Sequence, residues 1–282
     1  MSEVAQRPPD PWNEARIAAV DETGVRAMAN LLELRGSGAD QTTIRATYLD
    51  LLQIEPGERV LDVGCGSGVV TREVARRVGT GGSVVGVDPS ATMLAVAQEL
   101  AERDGVAAQI AFQVGDARAL PVEDGSFDVV LAITALSHTT DGEEALPELL
   151  RALRPGGRIG IFDLDTPSWI ITHPDRDLTR RVGLAGSMVA TDGMLARRLP
   201  GLLEAAGVED VQIRAYTPLE RDPAGFNARL AERWAEAAAE CGAISEEERQ
   251  RWVDGLHAEQ AANRFLSGLT HLFIWGRVPA AP

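Results

Sequence analysis

The chain has 282 residues, 45% of them hydrophobic, and a formal net charge of −15. That length can bury one substantial core with an elaboration, while so acidic a surface repels a phosphate backbone and excludes nucleic acid as an expected partner. Two cysteines, Cys65 and Cys241, support neither a disulfide framework nor a metal cluster, which fits a reducing compartment. No charged-then-apolar leader is read at the start, and no apolar run approaches the roughly 18 residues that span a bilayer, so the expectation is a cytoplasmic protein with no membrane partner.

Residues 1–40 are Pro-rich as far as Trp12. They then carry Ile17, Val20, Val25, Met28, Leu31 and Leu32 at helical spacing, with a predicted interruption at Thr23-Gly24. Gly36-Ser37-Gly38-Ala39-Asp40 reads as a linker. A helix is predicted over Thr43–Gln53, a turn at Pro56-Gly57 and a first strand over Arg59–Val63. Alternation follows: helix Val70–Val78, strand Ser83–Val87, helix Ala91–Arg103, strand Ala108–Val114, strand Phe127–Ile133, helix Glu143–Leu153 and strand Arg158–Leu164. Repeated βα units with nearly continuous apolar strands give an α/β fold whose parallel sheet is covered on both faces. Ligands of such sheets sit beyond the C-terminal ends of the strands.

The second half reads as a long excursion over Thr166–Thr191, a helix Met194–Ala206 and a sixth strand Val211–Leu219. Two further helices come next, Ala228–Cys241 and one opened by a capping box at Ser245-Glu246-Glu247-Glu248 and running to Phe265. The seventh strand is Leu269–Val278. Trp234 and Trp252 are open to two readings, core packing or a cover over substrate or a dimer partner.

The run Val60-Leu61-Asp62-Val63-Gly64-Cys65-Gly66-Ser67-Gly68 is a strand breaking into a glycine-rich turn, where backbone N–H groups and a helix start face one spot. The dinucleotide spacing G-x-G-x-x-G would place its last glycine at Val69 or Thr71, and neither is glycine. The segment LDVGCGSG instead resembles motif I of the class I S-adenosylmethionine-dependent methyltransferases. Asp88, 20 residues past Gly68 at a strand end, resembles the second motif. Val114-Gly115-Asp116-Ala117, Ser126-Phe127-Asp128-Val129-Val130 and Leu153-Arg154-Pro155-Gly156-Gly157 resemble those that follow, so the likeness covers about residues 55–165.

The resemblance implies a Rossmann-like seven-stranded, mostly parallel sheet. Onto it come an N-terminal helical lid (1–40), a cofactor-binding core (41–222 and 269–282) and a helical insertion between strands six and seven (223–268). It implies S-adenosyl-L-methionine as cofactor, S-adenosyl-L-homocysteine as product and a small-molecule acceptor methylated on oxygen, nitrogen or carbon, as in the ubiquinone/menaquinone-pathway and secondary-metabolite branch. The protein would be a monomer or homodimer. The alternative is a protein of the same fold that binds the cofactor without transferring its methyl group, such as a pericyclic-type catalyst or a regulator.

In that likeness Asp62 meets the cofactor's ammonium, the Gly64, Gly66 and Gly68 loop with Cys65 supplies backbone donors, and Asp88 accepts from the ribose hydroxyls. Gly115, Asp116 and Ala117 read the adenine, with further contacts at Pro89, Met93 and Ile133. Arg45 is a candidate for the carboxylate end or else faces solvent; Asp88 could instead cap a helix, Asp116 serve a turn, and Cys65 be either a small residue that fits or a reactive thiol. Proton removal from an acceptor falls to groups beyond strands four and five: His138 first, then His173, with Asp141, Asp163 and Asp165 nearby. His138 also reads as a loop-fixing residue and His173 as a surface one, while His257 and His271 read as structural. The acids form no evident ligand set, so no metal is expected.

Overall fold

The computed structural model describes residues 8–280; residues 1–7 of the expected lid and 281–282 of the last core segment lie outside them. The chain begins with α1 (Glu14–Ile17) and α2 (Glu22–Ser37). Asp21 caps α2 by accepting from the Gly24 N–H, so Thr23-Gly24 fall inside its first turn and the expected interruption lies just before, at 18–21. The predicted linker also contracts to Gly38 alone. Gly36 and Ser37 complete the last turn of α2, and α3 (Ala39–Leu51) starts immediately afterwards.

The α/β alternation follows as β1 (Arg59–Val63), α4 (Val69–Val78), β2 (Ser83–Asp88), α5 (Ala91–Arg103), β3 (Ile110–Val114), β4 (Phe127–Ile133), α6 (Leu146–Ala152) and β5 (Leu153–Leu164). The helix expected from Glu143 opens with a tighter turn at Gly142–Ala145 before α6 proper starts at Leu146, with Pro147 in its first turn. The predicted turn at Leu153–Gly157 is absorbed into β5 as a bulge: Phe127 pairs with Leu153 but Val129 with Arg158. Next come β6 (Ile170–Ile171), α7 (Arg176–Ser187), α8 (Leu195–Ala205), β7 (Glu209–Tyr216), β8 (Leu219–Glu220), α9 (Phe226–Glu240), α10 (Glu246–Ala261), β9 (Ser267–Gly268) and β10 (His271–Arg277). The predicted sixth strand is thus split at Thr217-Pro218, because proline cannot donate to a ladder. The predicted helix to Phe265 stops early where Asn263 takes a left-handed backbone.

Seven strands form one sheet in the order β3-β2-β1-β4-β5-β10-β7, parallel except for β10, which runs antiparallel to both its neighbours. Apolar side chains cover both faces: Val60, Val84, Val129 and Phe273 on one, Leu61, Val130, Ile159 and Ile274 on the other. A third apolar cluster is separate from the sheet. It joins α7, α9 and α10 through Leu178, Val182, Trp234, Trp252 and Leu256, with the Trp169 and Trp234 rings 4.8 Å apart. The excursion after β5 and the inserted helices therefore build one cover, tied together by the three-stranded sheet β6-β9-β8. The capping box forms as expected, Ser245 accepting from the Glu248 N–H and Glu248 from the Ser245 N–H. Among the described residues no helix is long and apolar enough to cross a membrane.

Candidate functional site

A cavity of about 500 Å3 lies beyond the C-terminal ends of the parallel strands, roofed by α2 and α9. At its centre the loop after β1 turns through three glycines with left-handed backbone: Gly64 at φ 71°, Gly66 at 54° and Gly68 at 77°. A side chain at Gly66 would also meet Leu32 of α2 at 2.9 Å, so the loop is held close under that helix. The Gly66 N–H donates to one oxygen of Asp88 and the Ser90 N–H to the other, both at 3.0 Å. Burial pushes the Asp88 carboxyl up to about 6 against these two bonds. Each oxygen keeps acceptor capacity on a residue that lines the cavity.

Gly64, Cys65, Gly66, Asp88, Pro89, Gly115, Asp116, Ala117, Ile133 and Arg45 are all brought to this cavity. Three expected cofactor contacts are not. Asp62 is 1% exposed and is not among the residues that line the cavity; one of its oxygens accepts from the Thr71 hydroxyl at 2.6 Å, and burial pushes its carboxyl up to about 6. Gly68 is spent on starting α4. Met93 is fully buried on the other face of α5, packed with Ile17, Val25 and Val96 under the N-terminal helices.

Neighbours modify other members of the set. Asp116 is clasped by Arg118, whose Nη2 and Nε donate at 2.7 and 3.0 Å, and this bond holds its carboxyl below the usual range. Arg45 donates to the Gly36 carbonyl at 3.0 Å, and burial pushes the Cys65 thiol well up, away from reactivity.

Among the candidate bases, His138 lines the cavity. Its Nδ1 lies 3.0 Å from the carboxylate of Asp10, which also accepts from the Trp12 N–H and from the Thr191 N–H and hydroxyl. Burial works to raise Asp10, but the bond and charge of His138 with the Trp12 and Thr191 bonds outweigh it, and its carboxyl is lowered. An ionised carboxylate only accepts, so Nδ1 carries a ring proton, and it is in the neutral form of the ring that Nε2 presents a lone pair. Asp10 lies in the Pro-rich start of the chain and was not legible as a site residue. Asn13 and Glu14 fasten the same segment to the loop after β4, through Thr140.

His173 is elsewhere. It lies outside the cavity lining, stacks on Trp252 at 4.8 Å, donates from Nε2 to the Trp252 carbonyl and accepts at Nδ1 from the Asp175 N–H, so it is not brought together with His138. Asp141, Asp163 and Asp165 do not line the cavity. Asp141 precedes the tight turn into α6, Asp163 accepts from the Ser137 N–H and hydroxyl, and Asp165 is gripped by Arg197 through two bonds. His257 pairs with Glu232 on the surface.

His271, expected to be structural, lines the cavity together with Arg35 of α2. Its Nδ1 donates to the Leu269 carbonyl, so Nε2 accepts from Arg35 at 3.3 Å, and burial pushes the ring down to about 3. Arg35 lies three and four residues beyond Leu32 and Leu31. An arginine continuing an apolar stripe was the available signal.

A family profile described as a methyltransferase domain matches residues 60–157. A ubiquinone/menaquinone biosynthesis C-methyltransferase of Stutzerimonas stutzeri is 30% identical over 74% of this chain and 87% of its own length. An uncharacterized 37.1 kDa protein in a transposon of Streptomyces fradiae is 32% identical over 80% of this chain, and the chain spans 64% of that relative. Among solved structures, the [4+2]-cyclase SpnF shares the fold with a TM-score of 0.58 at 19% identity, covering 98% of this chain and all of that one.

Proposed function

The chain belongs to the class I S-adenosylmethionine-dependent methyltransferases, and from that premise we propose that it transfers a methyl group to an oxygen, nitrogen or carbon nucleophile of a small molecule. The observation that carries the proposal is Asp88: a buried strand-end carboxylate fixed through both oxygens by backbone N–H groups, with acceptor capacity left toward the cavity. That is what a pair of ribose hydroxyls requires.

In this reading Asp88 holds the ribose, Gly64 to Gly66 lie against the methionine part, Gly115 to Ala117 meet the adenine, and Arg45 reaches toward the carboxylate end. Asp116 shares its carboxylate with Arg118, so adenine contact there falls mainly to the Ala117 N–H. When bound, the cofactor supplies a methyl group already activated by its sulfonium. The protein's own work is then to orient the acceptor, exclude water and remove a proton. His138 is the base, with the Nε2 lone pair available because Asp10 holds the proton on Nδ1. The N-terminal segment and the cover built by α7, α9 and α10 shut the cavity, and the acceptor's identity is set by what lines it.

Calorimetry with S-adenosyl-L-homocysteine tests the first step. Wild type is expected to bind, and Asp88→Ala to bind about 10²–10⁴-fold less tightly, the loss of two hydrogen bonds to a charged group at about 1.5–3 kcal/mol each. Unchanged binding in Asp88→Ala would end the assignment. The match to a [4+2]-cyclase over nearly the whole of both chains raises a second reading, in which the cofactor is retained intact as a scaffold. Mass spectrometry of turnover products separates the two, since transfer adds one methyl group to the acceptor and a rearrangement adds nothing.

A further inference from the structure

The cavity has two ends. Asp88 and Asp116 close it past β2 and β3, whereas Arg35 and His271 close it past β5 and β10. Four strand spacings separate β2 from β10, about 19 Å at roughly 4.8 Å each. The far end is largely apolar and aromatic, lined by Phe162, Phe226, Leu230, Trp234 and Leu269; Arg35 is set among them, while Arg229 and Arg233 of α9 also line the cavity but are exposed, Arg229 donating to the Ala224 carbonyl and Arg233 pairing with Glu236.

The bonding of that guanidinium is unusual. It donates to the Thr134 hydroxyl at 3.2 Å and to His271 Nε2, and it lies 5.7 Å from the centre of the Phe226 ring. Among the described residues no carboxylate comes within ion-pair distance of it. His271 cannot take up the role of counter-ion or second cation, because its proton is fixed on Nδ1 by the Leu269 carbonyl. Burial pushes the Arg35 guanidinium down from its usual range, opposed only by the more distant charges of Tyr48 and Asp163. This half-buried cation has three N–H donors left over, and an anion in the cavity can complete them. Nothing in holding adenosine or ribose uses this end.

Resting on the methyl-transfer reading above, we propose that this end is the acceptor subsite and that Arg35 selects an apolar molecule bearing a carboxylate, gripped by the guanidinium fork. The carboxylate is the anchor, and the atom to be methylated lies elsewhere on the apolar body, toward His138. A planar fork matches a carboxylate through two parallel bonds, and the aromatic walls take the rest.

The test uses the full chain saturated with S-adenosyl-L-homocysteine and titrates 2-naphthoate and 4-butylbenzoate against their methyl esters. Wild type is expected to bind each acid at least tenfold more tightly than its ester. Arg35→Met should erase that preference while shifting the affinity for S-adenosyl-L-homocysteine less than twofold, and Arg35→Lys should keep part of it. Equal binding of acid and ester by wild type, or no binding of either acid, overturns the proposal and needs no variant. A tenfold loss of S-adenosyl-L-homocysteine affinity in Arg35→Met also overturns it, because Arg35 would then serve the cofactor's own carboxylate. Failure of wild type to bind S-adenosyl-L-homocysteine at all would instead sink the underlying methyltransferase reading.

Discussion

Gly186 and Gly201 offer the same chemical change, glycine to alanine in a helix, in opposite surroundings. Gly201 in α8 is exposed, and a methyl group there meets nothing within 4 Å. Gly201→Ala therefore gains only helix propensity and restricts the unfolded chain, worth about 0.5–1 kcal/mol of added stability. Gly186 in α7 faces the Trp234 ring of α9. A methyl group there would lie 2.5 Å from Trp234 Cγ and closer still to Cδ2 and Cε3. Carbon atoms rest at about 3.5–4.0 Å, so the ring must retreat by about 1 Å or more. It has little room, being 3% exposed and packed against Trp169. Overpacking of this kind costs about 1–3 kcal/mol, which exceeds the propensity gain at a helix end. Because Gly186 and Trp234 both line the cavity, the displaced indole would also narrow the acceptor end. Urea denaturation of both variants, with unchanged slopes, should show Gly201→Ala above wild type and Gly186→Ala below it, a spread of about 1.5–4 kcal/mol from the two effects combined. Equal stability of the two variants would refute the packing argument.

Two other outcomes follow from the site. His138→Ala should lower kcat by about 10²–10⁴ in a labelled-methyl assay, and Asp10→Asn by about 10–100-fold through loss of one charge-assisted bond, both with little change in affinity for S-adenosyl-L-homocysteine; full turnover in His138→Ala removes it as the base. The third concerns pH. Asp88 ionises near 6 in the folded protein and near 3.9 unfolded, so between about pH 4 and 6 the folded state keeps a proton that the unfolded chain has lost. Stability from this group is present below pH 4 and is lost as pH rises through 6, by about 3 kcal/mol for roughly two units at about 1.4 kcal/mol each. Asp88→Asn cannot ionise, so its stability relative to wild type should improve by about 2 kcal/mol between pH 4.5 and 7.5, about 1 kcal/mol of the total having been lost already by pH 4.5. A pH-independent difference in denaturation midpoints would contradict it.

The sheet and the first half of the site were legible because their signals are local. A glycine loop leaving an apolar strand, and an acid at each following strand end, are read within a few residues of each other. What stayed hidden depends on pairs distant in the chain. Asp10 acquires meaning only beside His138 and Thr191, 128 and 181 residues away. Arg35 becomes a cavity residue only once β10 returns to place His271 opposite it, 236 residues on. Asp62 adds a partner its motif does not announce, since one of its oxygens accepts from the hydroxyl of Thr71 in the first turn of α4. Strands of two residues, as in β6, β8 and β9, are too short to carry alternation, so the sheet that ties the cover together left no pattern to read.

The position of α2 over the glycine loop has a bearing on traffic. Leu32 shelters Gly66, and Glu33 binds both the Ser67 hydroxyl and Arg72, a guanidinium that also reaches Asp104 and the Ser67 carbonyl. Asp10, Asn13 and Glu14 latch the residues ahead of that helix across the loops after β3 and β4. Any widening of the cavity on this side would have to break and remake these few charged bonds, so a ligand that exchanged beneath α2 would tie its exchange rate to partial detachment of residues 8–37.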